Sequence, residues 1–102
     1  MQELTTETFA KETKKGTVIV DFWAPWCGPC KLMGPVFDAA SKDHASIKFF
    51  KLNVDDHPDI ASEHGVMSIP TILFIKDGEV VDQMVGFSSK PAFTQKIKQA
   101  FS

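Results

Sequence analysis

The amino-acid sequence predicts an α/β fold, a mixed β-sheet with helices on both faces. Three observations predict it. Thr17-Val18-Ile19-Val20-Asp21-Phe22 is β-branched and almost continuously apolar, which is the pattern of a strand buried on both sides. A helical pattern from Cys27 to about His44 follows it, and then a second strand pattern. Strand, helix, strand implies a right-handed parallel crossover. Further on, Asp77-Gly78 separates two strand-like runs. That dipeptide marks a tight type I′ hairpin, which adds antiparallel strands.

Each element has its own warrant. Thr5-Thr6-Glu7-Thr8-Phe9 supplies capping hydroxyls for a short helix to about Lys15, with Gly16 as its stop. After the first strand, Trp23-Ala24-Pro25-Trp26 forms a turn. In the long helix, Leu32, Met33, Val36, Phe37 and Ala40 make one face. Pro29 is tolerated in the first turn, whereas Pro35 lies inside the helix and should kink it. Ile47 to Val54 reads as a strand, and Asp55-Asp56-His57-Pro58 opens a short helix that Gly65 closes. Thr71–Lys76 and Glu79–Val85 are the hairpin strands. Ser88-Ser89 caps a last helix with Phe93, Ile97, Ala100 and Phe101 on one stripe.

Composition narrows the function. The chain of 102 residues is 43% hydrophobic, enough for one core and a single domain spanning residues 1–102. All 11 basic residues are Lys, and the net charge is −2. Bidentate phosphate or base recognition favours Arg, so nucleic acid is not expected as a partner. No apolar run approaches the roughly 18–20 residues that span a bilayer, so no membrane role is expected. The N-terminus, Met1-Gln2-Glu3-Leu4-Thr5, has no charged-then-apolar leader pattern. The expected location is cytoplasmic.

The only cysteines are Cys27 and Cys30, separated by Gly28-Pro29 at a predicted helix start. A structural staple closing so short a loop contributes only about 2 kcal/mol. A zinc site needs about four ligands, and His44, His57 and His64 are not spaced as a finger. Haem attachment requires His where Lys31 stands. A redox dithiol fits best: the helix N-terminus favours a thiolate, and the second sulfur lies one turn along. No metal is expected.

Two further positions fit that chemistry. Asp21 interrupts an apolar strand. It is either an outward-facing acid or a buried proton acceptor for Cys30 whose pKa burial raises. Lys51, alternating with apolar neighbours, is either a solvated lysine or a group that reaches the same place. Pro70 at a strand entry is either an edge residue or the site of a cis bond that frees the Ile69 backbone to pair with an extended substrate.

Asp21-Phe22-Trp23-Ala24-Pro25-Trp26-Cys27-Gly28-Pro29-Cys30-Lys31 resembles the active-site segment of the thioredoxin family. Lys51-Leu52-Asn53-Val54-Asp55, Ile69-Pro70-Thr71, Lys76-Asp77-Gly78 and Val85-Gly86 follow in the family's order, so the resemblance covers essentially the whole chain. It implies the thioredoxin fold, a central mixed sheet of about five strands flanked by about four helices. It implies a protein-disulfide reductase with an exposed dithiol, in which Cys27 is the nucleophile and Cys30 the resolving thiol. Asp21 is then the buried acid, Lys51 its partner, and Pro70 the cis-proline. Trp26, Val66, Met67, Ile69 and Gly86 resemble the substrate groove, completed by Gly28, Pro29 and Pro70.

The implied partners are disulfide-containing proteins and a thioredoxin reductase. The chain is expected to act as a monomer and to need no cofactor of its own. The alternatives are a secreted or periplasmic thiol oxidase or isomerase, and a binding module that uses the groove without the thiols. Reducing members of the family lie near −270 mV and a periplasmic oxidase near −120 mV, a gap of about 7 kcal/mol. Gly28-Pro29 resembles the reducing kind.

Overall fold

The computed structural model describes residues 1–102. The elements are α1 (Phe9–Thr13), β1 (Thr17–Trp23), α2 (Gly28–Asp43), β2 (Lys48–Asn53), α3 (Pro58–Glu63), β3 (Thr71–Lys76), β4 (Glu79–Val85) and α4 (Lys90–Ala100). The sheet order is β2-β1-β3-β4. β1 pairs parallel with β2, and the β1–β3 and β3–β4 pairs are antiparallel.

The period of two along β1 divides the interior. Val18, Val20 and Phe22 point to one side, where Phe9 of α1 and Ile60 and Ala61 of α3 cover them. Ile19 points to the other, against Met33, Phe37 and Ala40 of α2 and Phe93 and Ile97 of α4. The α2 stripe is Cys30, Met33, Phe37 and Ala40, all buried. Leu32 is not on it; it is 64% exposed. The stripe steps by three and four residues from Cys30, and Leu32 falls between its members. The helix runs on through Pro35, whose missing N–H leaves the Lys31 carbonyl without its helical partner.

The sheet has four strands where about five were expected. The N-terminal segment starts to pair with β2, donating from Leu4 N–H to the Lys51 carbonyl at 2.7 Å and accepting at Gln2 from Lys51 N–H at 3.1 Å. It forms only one bridge, Glu3 to Lys51. Thr5 and Thr8 then exchange hydrogen bonds between side-chain oxygens and each other's N–H, at 2.8 and 3.2 Å. These local bonds turn the chain out of the sheet plane. The helix α1 follows these hydroxyls from Phe9 and ends at Thr13, two residues short of the expected Lys15.

The hairpin turn places Asp77 at φ 50° and Gly78 at φ 87°, the paired left-handed residues of a type I′ turn. Ser89 caps α4 by accepting from Ala92 N–H at 3.4 Å.

Phe37 is fully buried, edge-on to Phe49 at 5.2 Å and stacked on Phe93 at 5.9 Å. Phe37→Ala is expected to lower unfolding free energy by about 3–5 kcal/mol. Leu32→Ala is expected to change it by about 0.5 kcal/mol or less. Urea melts of both variants check the contrast.

Candidate active site

The turn after β1 delivers the chain to the start of α2. Cys27 N–H donates to the Ala24 carbonyl at 3.2 Å. Cys27 then takes an extended conformation as the N-cap, and its Sγ accepts from Cys30 N–H at 3.2 Å. A sulfur here stands in for the usual capping oxygen and satisfies one of the helix's orphan donors. Cys27 and Cys30 are joined as a disulfide, with Cα atoms 5.2 Å apart. The pair is less open than an exposed dithiol: Cys27 and Cys30 are 4% and 5% exposed. Ala24 packs against both, with Trp23, Val54 and Ile69 at the margin.

The loop before β3 faces this pair. The Ile69–Pro70 peptide bond is cis. The Ile69 carbonyl oxygen lies 3.7 Å from Cys27 Sγ. Behind it, Gly86 N–H donates to the Pro70 carbonyl at 2.8 Å and ties the β4 end to the loop. Gly86 has φ 90°, a backbone region that disfavours a side chain.

Beside the disulfide runs a groove of about 760 Å³. Of the predicted groove residues, Trp26, Val66, Met67 and Ile69 line it. The α3 side of the groove was not expected: Val54, Pro58, Ala61, Ser62, Gly65 and Ser68 complete the lining. Gly28, Pro29, Pro70 and Gly86 do not line this hollow. Trp26 is 67% exposed and Met67 97%, so the rim is apolar and open. The Trp26 indole N–H donates to Asp55 Oδ2 at 2.9 Å. Asp55, not read as a site residue from the sequence, thus holds the exposed indole at the rim.

Asp21 is buried, 2% exposed, on the α2 side of β1. Its Oδ1 has no hydrogen-bond partner. Burial pushes its carboxyl up from the ordinary 3.8 to about 7. The charge of Lys51 pulls it down, and the carboxylates of Glu3 and Asp38 push it further up. Lys51 is directly opposite Asp21 in the parallel register. However, its ammonium makes its ion pair with Asp38, at 3.6 Å, and not with Asp21. Lys51 therefore acts on Asp21 through its charge from the adjacent strand, without a direct ion pair. Asp38 of the neighbouring helix α2 offers it an exposed carboxylate.

Residues 1–99 match the family model described as thioredoxin. The chain is 45% identical over 96 residues to the thioredoxin of Bacillus subtilis (strain 168), covering 93% of this chain and 92% of the relative. It is 51% identical over 83 residues to that of Chlorobaculum thiosulfatiphilum, covering 80% and 77%. Among solved structures, the thioredoxin of Malassezia sympodialis superposes with a TM-score of 0.89 at 35% identity, covering 99% of this chain and 93% of that one.

The Asp21 proton has a consequence for stability. Its folded-state pKa lies above its unfolded value, so the unfolded chain loses this proton first as pH rises between 3.8 and about 7. Stability therefore falls across that window, and the penalty is complete above it. At 1.36 kcal/mol per unit it is on the order of 4 kcal/mol. Asp21→Asn is expected to be more stable than the parent by roughly 2–4 kcal/mol at pH 8, since the buried amide keeps part of the cost. The gain should vanish below pH 4, and denaturant melts at the two pH values check it.

Proposed function

The chain belongs to the thioredoxin family and is a thiol–disulfide oxidoreductase, and on that premise we propose how its residues divide the work. In the reduced protein, the Cys27 thiolate attacks a substrate disulfide. A mixed disulfide forms through Cys27 Sγ, and the first substrate thiolate leaves. Cys30 then gives its proton to the Asp21 carboxylate and attacks Cys27 Sγ. The second substrate thiolate leaves and takes up a proton. Two electrons have passed to the substrate, and Cys27–Cys30 is a disulfide.

The observation that carries this reading is the disulfide at the head of α2, with Cys27 Sγ 3.7 Å from the Ile69 carbonyl at the groove. A substrate segment lying along Ile69 brings its own disulfide to the one sulfur that faces it. Backbone pairing to Ile69 supplies affinity independent of sequence, and the apolar rim of Trp26 and Met67 supplies the rest. In this reading the small apolar surface suits many protein substrates.

Acidity is a small part of the rate. Lowering a thiol pKa from about 8.5 to about 7 raises the thiolate fraction at pH 7 from about 3% to about 50%. Nucleophilicity falls with a slope of about 0.4–0.5, so the net gain is only about threefold. The proximity of Cys30 to Cys27 Sγ, and in this reading the acceptor Asp21, matter more.

A thioredoxin reductase restores the dithiol in this proposal, and the protein works in the cytoplasm as a monomeric single domain. No helix is long and apolar enough to cross a membrane.

Cys30→Ser is expected to accumulate mixed disulfides through Cys27 with proteins of a cell lysate, seen on non-reducing gels. An absence of trapped partners would defeat the reading. Asp21→Asn is expected to slow release of the second substrate thiol by about 10²-fold or more while nearly keeping the first attack. Single-turnover measurement of both thiols separates the two steps.

A further inference from the structure

Three charged groups act on the Asp21 carboxyl, each from a different element: Glu3 from the N-terminal segment, Lys51 from β2 and Asp38 from α2. Glu3 is already engaged, accepting from the Trp23 indole N–H at 3.2 Å. Lys51 is the one cation. It stands opposite Asp21 on the adjacent strand, so its flexible stem starts where a direct ion pair would be simple to form. Yet Asp21 Oδ1 is unpartnered, and the ammonium lies 3.6 Å from Asp38. Its position is further defined by α2, where the bare backbone of Gly34 passes close: a Cβ there would stand 3.9 Å from Lys51 Nζ. Asp38 is exposed, whereas Asp21 is buried. Pairing with Asp38 leaves the ammonium partly hydrated, and moving it onto Asp21 would strip that water away.

We propose that Asp38 is a positioning residue for the disulfide-exchange reaction: its carboxylate draws the Lys51 ammonium outward beneath α2 and leaves Asp21 without a direct counter-ion. Without that draw, the ammonium is free to swing toward the buried carboxylate and stabilise its charged form. Asp21 would then release its proton at lower pH and become a weaker base for Cys30. The kinetic consequence rests on the reading of Asp21 as the acceptor; the effect on Asp21 itself does not.

The test is a double-mutant cycle read on the Asp21 carboxyl by carbon NMR titration of the disulfide form of the full chain. Asp38→Asn is expected to move the Asp21 midpoint down by about one unit. In a Lys51→Met background the same substitution should move it by less than half as much, because only the direct charge of Asp38 is then lost. Asp38→Glu, which keeps the carboxylate, should leave the midpoint near that of the parent. No shift in Asp38→Asn overturns the proposal. So does a shift of equal size with and without Lys51, which would make Asp38 a distant charge and not an anchor. The pH profile of the resolving step should move with the titration. If Asp21→Asn leaves that step unchanged, the acceptor reading fails, and the NMR cycle still decides the role of Asp38.

Discussion

The seat of α2 on β1 is the contact on which the other features depend. Its stripe of Cys30, Met33, Phe37 and Ala40 lies over the face of β1 that carries Ile19 and Asp21. One rigid helix therefore fixes the disulfide at its head and the lid over a carboxyl at its side. That carboxyl is a burden to the folded state, because one oxygen goes unpartnered and burial drives its proton affinity up. Strained or costly groups of this sort persist where the surroundings are over-determined. Here the surroundings are fully buried aromatic and aliphatic side chains on both faces of the sheet.

The same packing decides how the sulfurs meet a substrate. The pair is nearly covered, which limits the directions from which a sulfur can be reached. In the proposed reading a substrate reaches it past Trp26 and along the loop of Ile69, between the head of α2 and the side of α3. The groove thus joins two elements distant in sequence, and its opening is set by how α3 packs through Ile60 and Ala61 on the opposite core. Both cores contribute to the candidate site: the α2 side carries the disulfide, and the α3 side lines the groove.

Much of this was legible in the chain. The bounds of β3 and β4 follow from alternation and from Asp77-Gly78, because hairpin turns are local and their dihedral demands narrow the residue choice. The place of Cys27 was legible for the same reason: strand, turn and helix start lie within a dozen residues. The fate of the N-terminal segment and the exposure of Leu32 were less so. In each, a local hydrogen bond or a step of one residue in the helical period decided between patterns that read almost alike.

By itself, the sequence determined the order of elements, the two-sided burial of β1 and the redox character of the cysteine pair. Those depend on periodicity and on short-range geometry, which are written in neighbouring residues. Only the tertiary structure decided which carboxylate Lys51 pairs with, that Asp55 holds the Trp26 indole, and that α3 forms half of the groove. These are choices among competing partners within a few ångströms of one another. Desolvation and reach settle them, and neither exists until the helices have packed onto the sheet.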